Sequence, residues 1–205
     1  TLRHTLFPYT TLFRSMQRPT LTDVEDVVVV DLDGNSVDDL VLDCGTSMWK
    51  YMNNSTFQKI SNYDPEQIMV FDIDGDGAED DLLIDKGTDG LWVYVGNSGM
   101  SKIGGGNPLS VTTADLDGGG IDDIILEYAT SVWVYSNNST MKKISGYSTE
   151  AIKLADLDGN GIKDDIILDH GVNGLWTYTD GTTMQRPTVT DIEDVVVVDL
   201  DGNSV

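Results

Sequence analysis

An aspartate-rich phrase returns along this chain, beginning at Asp31, Asp72, Asp115, Asp156 and Asp199, at intervals of 41, 43, 41 and 43 residues. A fixed period of that length restricts the chain to a repeat architecture, in which each unit buries its apolar face against the next. Each of Trp49, Trp92, Trp133 and Trp176 lies 23 residues before the next phrase. The alternation therefore arises inside the unit. The even units carry two extra residues, read here as one acid (Asp81, Asp165) and one turn residue. A longer repeat overlies this one: residues 16–37 recur at 184–205, an offset of 168.

Within each period, short runs rich in β-branched and aromatic residues are separated by Gly, Asn and Asp. In the second unit these are residues 68–74, 81–85, 90–95 and 99–103. Such runs read as strands, and no stretch has a helical period. Four strands in about 42 residues, repeated, predict an all-β chain built as a β-propeller. The expected arc holds about four blades of 41–43 residues, each with an acidic loop between its first two strands. A β-solenoid is the rival architecture, with fewer residues per coil.

The complete loops are DLDGNSVDD, DIDGDGAED, DLDGGGIDD and DLDGNGIKD. Counted from the first Asp, positions 1, 3, 5 and 9 offer side-chain oxygens and position 7 its carbonyl. Glycines let the backbone curl around a point. Hard oxygen donors in a flexible loop suit Ca2+, which takes six to eight. The expected ligands are Asp31, Asp33, Asn35, the Val37 carbonyl and Asp39 in the first loop. The second offers Asp72, Asp74, Asp76, the Ala78 carbonyl and Asp80. The third offers Asp115, Asp117, the Ile121 carbonyl and Asp123; Gly119 removes the position-5 side chain, so a weaker site is expected. The fourth offers Asp156, Asp158, Asn160, the Ile162 carbonyl and Asp164, and the fifth begins with Asp199, Asp201 and Asn203. An EF-hand needs Glu at position 12 between helices. Here position 12 is Leu42, Leu83, Leu126 or Ile167, so that reading fails.

The charge fits these loops. The chain has 35 acidic against 12 basic residues, a net charge of −23, and more than half of the acids fall in the Asp-rich phrases. Nucleic acid is excluded as a partner, because phosphate binding needs a basic surface. No apolar run reaches the ~20 residues of a membrane helix, so no membrane insertion is expected. Carboxylates ~4 Å apart repel by about 4 kcal/mol per pair at an effective dielectric near 20. Folding should therefore be coupled to metal. Millimolar calcium outside the cell fills such sites, which points to an extracellular or surface location.

These D-x-D-G-N-G-x-x-D loops and their β context resemble the FG-GAP/VCBS repeat family over residues 16–205. The resemblance implies a propeller of about seven blades, calcium in the first hairpin of each blade, and roles in adhesion, carbohydrate binding or display. The family's Phe-Gly and Gly-Ala-Pro phrases are absent. The Gly-Leu-Trp-x-Tyr phrase of the even units is closer to bacterial VCBS-type and lectin-like propellers. A seven-blade ring would leave this chain a fragment, open at both ends. Residues 5–15, TLFPYTTLFRS, match the translated codons of a common sequencing-library adapter, so residues 1–15 are read as non-native.

The pairs Trp49/Tyr51, Trp92/Tyr94, Trp133/Tyr135 and Trp176/Tyr178 place two aromatics on one strand face. They serve either packing between blades or stacking of a sugar. NNST at 53–56 and 137–140 reads as a polar turn or a glycosylation sequon. The single cysteine, Cys44, forms no disulfide within the chain. Asp169-His170 has no nucleophile phrase beside it, and no enzyme is expected. The expected function is a calcium-binding propeller module for adhesion, ligand binding or scaffolding, with a protein or carbohydrate ligand. The alternatives are a calcium-dependent lectin and a non-catalytic accessory domain of a secreted hydrolase.

Overall fold

The computed structural model describes residues 24–96, 98–179 and 183–198. The loop residues Asp199, Asp201 and Asn203 and the segment 1–15 lie outside them. The fold is all-β, with four four-stranded sheets, each an antiparallel meander in chain order. The first comprises β1 (Asp26–Val30), β2 (Asp39–Asp43), β3 (Met48–Met52) and β4 (Thr56–Ser61). The second comprises β5 (Gln67–Phe71), β6 (Asp81–Asp85), β7 (Leu91–Tyr94) and β8 (Met100–Gly104). The third comprises β9 (Ser110–Ala114), β10 (Asp123–Tyr128), β11 (Ser131–Ser136) and β12 (Thr140–Ser145). The fourth comprises β13 (Ala151–Ala155), β14 (Asp165–Asp169), β15 (Leu175–Thr179) and β16 (Thr183–Gln185). The even blades add a single 3-10 turn before their third strand, Gly87–Asp89 and Gly171–Asn173.

The chain divides at residue 65 into two units. The first holds the first blade and the second holds the other three. Inside the second unit the period of the strand directs the core. Successive side chains of β10 point to opposite faces. Ile124 and Leu126 pack with Phe71, Leu83 and Val93 of the second blade. Ile125 packs with Ile166 and Leu168 of the fourth. The second strand of a blade is thus apolar on both faces: β6 and β14 are buried at every position. The fourth strands β4 and β12 are largely exposed.

Register corrects the reading of the extra acid. Asp39 pairs with Val30, Asp81 with Phe71, Asp123 with Ala114 and Asp165 with Ala155. Asp81 and Asp165 are therefore the counterparts of Asp39 and Asp123, each opening a second strand. The inserted acid of the even blades is Asp80 or Asp164. Two adjacent aspartates cannot be told apart by spacing alone, and the hydrogen-bonded register decides.

Candidate metal-binding loops and an interblade cleft

Each acidic loop is organised by its own carboxylates. The first Asp gathers backbone N–H groups from the bend. Asp72 accepts from Gly75 (2.7 Å) and Gly77 (2.9 Å). Asp115 accepts from Gly119 (2.9 Å) and Gly120 (2.8 Å), and Asp156 from Gly159, Asn160 and Gly161. Asp31 accepts from Asn35 and Ser36. The sixth position is left-handed throughout. Gly77, Gly120 and Gly161 take it freely, while Ser36 holds φ 68° with a side chain. The side chain at position 2 is a core residue in three loops: Leu32, Ile73 and Leu116 are buried, whereas Leu157 is exposed.

The strand-opening aspartates clamp the loops from below. Asp81 Oδ2 accepts the Ile73 N–H (3.0 Å) and Oδ1 the Gly96 N–H (2.8 Å). Asp123 accepts the Leu116 N–H (3.2 Å) and the Asn137 N–H (3.1 Å). Asp165 accepts the Leu157 N–H (2.7 Å). Burial pushes the carboxyls of Asp81 and Asp123 above their ordinary range, against these hydrogen bonds. In the first loop Asp39 Oδ1 accepts the Asn53 N–H (2.7 Å), but the buried Oδ2 has no partner. The buried Asp164 Oδ1 also has none.

Carboxylate oxygens converge to within 4.8 Å in three loops: Asp31/Asp33/Asp39, Asp72/Asp74/Asp76 and Asp156/Asp158/Asp165. In the fourth loop the converging acid is thus Asp165, one residue beyond the expected Asp164. Asp164 instead accepts from the Asn160 amide at 2.9 Å. In the second loop Asp80 is buried and stands outside the converging set. Among the described residues no such triad forms in the third loop, where Gly119 stands at position 5. Clustered carboxylates with buried, unpartnered oxygens form a donor set that hard divalent cations take.

Several contacts escaped the sequence reading. Asp122 ties the second loop to the third: its N–H donates to the Asp72 carbonyl (2.8 Å) and its Oδ2 accepts the Asp72 N–H (3.3 Å). At the other end of the first blade, Glu25, Asp43 and Asp64 also bring oxygens within 4.8 Å. Burial pushes the Asp43 carboxyl up, the Gly45 N–H opposes this, and the charges of Asp64 and Asp26 add to the rise.

The aromatic pairs divide in burial. Tyr51, Tyr94, Tyr135 and Tyr178 are buried, and the hydroxyls of Tyr51 and Tyr135 donate to Asn54 and Asn138 of the following turn. The four tryptophans are half-buried. Trp133 forms part of a cleft of about 540 Å3 between the second and third blades, with Tyr128, Ser131, Met141 and Gly104–Gly106. Its indole N–H donates to Ser131 Oγ (3.1 Å), and Lys143 Nζ lies 6.0 Å from the ring centroid. An indole face beside a methionine, a phenol, a hydroxyl and exposed backbone can hold a ligand that is apolar on one side and polar on the other.

No protein-family model matches the chain, and no curated protein does. Among solved structures it is similar to a lectin of Agrocybe aegerita that recognises non-reducing terminal N-acetylglucosamine. The identity is 21% over 80% of this chain and 52% of the lectin, with a TM-score of 0.53. It is also similar to BBS1N, solved in complex with ARL6DN (11% identity, 79% of this chain, 54% of that one, TM-score 0.49). A virginiamycin B lyase of Staphylococcus aureus gives 8% identity over 82% of this chain and 56% of that one, with a TM-score of 0.46. The chain spans about half the length of each. The meandering four-stranded sheets and the likeness to the lectin define a β-propeller fold. Among the described residues no helix is long and apolar enough to cross a membrane.

Proposed function

We propose that this chain is a calcium-binding β-propeller module that works outside the cell, in adhesion, ligand binding or scaffolding, and not in catalysis. The carrying observation is the buried carboxylate oxygen Asp39 Oδ2, which lacks a partner within the converging Asp31/Asp33/Asp39 cluster. A buried unpaired charge is costly, and a bound divalent cation removes that cost. Hard oxygen donors and the absence of His or Cys from the loops favour calcium over zinc. Within this reading Asp31, Asp33, Asn35 and Asp39 would hold one ion; Asp72, Asp74 and Asp76 a second; Asp156, Asp158, Asn160 and Asp165 a third; and Asp115, Asp117 and Asp123 a weaker fourth. Calcium supplies a charge that lets the acids approach; the chain's own N–H groups set the bend that receives it. Thermal melting with and without chelator, with elemental analysis of the purified chain, tests the reading. The melting temperature should fall by more than 10 °C on chelation; at 100-fold excess over its dissociation constant each site contributes about 2.7 kcal/mol. An unchanged melt and no bound ion would defeat it.

A carbohydrate ligand is the second reading. The cleft at Trp133 favours it, together with the fold shared with a lectin that recognises N-acetylglucosamine. The pyranose ring would lay its C–H face on the indole and direct hydroxyls to Ser131 and the Gly104–Gly106 backbone. A glycan array on the full chain, with Trp133→Ala as control, tests this. Binding lost in the variant supports a sugar, and no glycan binding to the wild type removes it.

A further inference from the structure

Calcium takes six to eight oxygens, and a loop supplying positions 1, 3, 5, 7 and 9 with one oxygen each gives five. The third loop falls shorter still, with Gly119 at position 5. The neighbouring hairpin bend lies close above it. In the first three blades this bend, between the third and fourth strands, is a tight turn closed by Ser55 N–H to Met52 O, Ser98 N–H to Val95 O and Ser139 N–H to Ser136 O. Its first central residue is Asn53, Gly96 or Asn137, all left-handed, and its backbone N–H reaches the strand-opening aspartate in each blade.

Asparagine and glycine both suit this left-handed position, and Gly96 fills it without a side chain. The second asparagine of each turn, Asn54 or Asn138, faces a tyrosine hydroxyl. The first leans over the acidic loop. The Asn53 amide donates to Asp33 Oδ2 and the Asn137 amide to Asp117 Oδ2, each at 2.8 Å. Their carbonyls face position 5. Asn53 Oδ1 accepts from the Asn35 amide. Asn137 Oδ1 lies 3.8 Å from the point where a Cβ on Gly119 would stand, and Asp117 Oδ1, which such a Cβ would push aside, lies 2.8 Å from it. The bare Gly96 sits above the one loop with a carboxylate at position 5, Asp76, and a Cβ there would lie 4.0 Å from Asp74 Oδ2. Between the second and third blades, side-chain oxygen missing from one place is thus matched by oxygen present in the other, while the first blade has both, Asn35 and Asn53.

We propose that Asn53 and Asn137 are cross-hairpin ligands, whose amide oxygens complete the divalent-cation sites of the first and third loops, Asn137 standing in for the side chain that Gly119 lacks. This rests on the calcium reading above. An amide ligates through oxygen only, and its N–H2 group stays on the Asp33 or Asp117 carboxylate to hold it in place.

Calorimetric titration of the full chain with CaCl2 tests the proposal, with melting of each variant in chelator as the check on folding. Asn137→Gly keeps the left-handed turn and removes the ligand; one site should weaken at least tenfold while the chelator melt stays close to wild type. Asn137→Asp should retain or tighten that site. Adding Gly119→Asn to Asn137→Gly should restore it, and Asn138→Gly, one residue along the turn, should leave the titration unchanged. A wild-type titration from Asn137→Gly overturns the proposal while leaving the calcium reading intact. A wild-type chain that takes up no calcium at millimolar concentration overturns both.

Discussion

The two interblade junctions of the second unit share a core and differ at the rim. Both bury apolar residues of three consecutive strands against the next blade, Leu126 in one cluster and Leu168 in the other. Both present a half-buried tryptophan with a methionine eight residues later, Trp133 with Met141 and Trp176 with Met184. At the third–fourth junction the rim is filled. His170 is buried, its Nε2 on Ser145 Oγ (2.9 Å) and its Nδ1 donating to the Ser148 carbonyl (2.7 Å), with the Tyr147 ring 5.7 Å away. At the second–third junction the matching places hold Tyr128, Gly104 and Gly106. Removing a serine and a tyrosine leaves the cleft at Trp133. A repeat therefore keeps its packing and varies its openings by exchanging residues two positions apart at a strand end.

The strongest way to break this comparison is to empty the core on each side. Leu126→Ala and Leu168→Ala should each destabilise the chain by about 3 kcal/mol, since both side chains are fully buried. Denaturant unfolding that found one of them neutral would end the equivalence. The filled rim should also matter: His170→Ala removes a buried side chain and leaves the Ser145 hydroxyl with only the Tyr147 N–H, and should cost about 1 kcal/mol by the same measurement. Gly106→Tyr sharpens the contrast from the other side. It fills the cleft and should abolish the glycan binding proposed at Trp133, while φ 92° at that position costs about 1–2 kcal/mol. The smallest effect is a pH slope. Burial, opposed by the Gly87 N–H and aided by Glu66, pushes Asp85 above its ordinary 3.8. The folded chain thus holds that proton more tightly than the unfolded one, so the contribution is full below 3.8 and lost as pH rises through the folded value. Chelator-treated protein should gain stability from pH 7 towards 4, and Asp85→Asn, which keeps the oxygen facing Gly87, should flatten part of that gain.

The period, the strand count and the positions of the loops were legible in the sequence, because repetition turns weak local signals into a strong one. Three features were not. The Asp80/Asp81 and Asp164/Asp165 pairs needed strand register. The approach of Asn137 to Gly119 joins residues of different hairpins. The cleft depends on what Gly104 and Gly106 fail to fill, which no local pattern announces. The same limit shows in one phrase read twice: DVVVV is strand β1 at 26–30, paired to β2, but at 194–198 it is irregular with Val196, Val197 and Val198 exposed. A strand is a relation between segments, and its sequence supplies half of it.

Asp81 and Asp123 each grip one backbone amide from the acidic bend and another from the bend beside it. Neither bend can shift without dragging its neighbour through that shared carboxylate. If the loops take calcium as proposed, a drop in ambient ion concentration would be transmitted sideways as slack, loosening the whole edge of the blade rather than a single curl of chain.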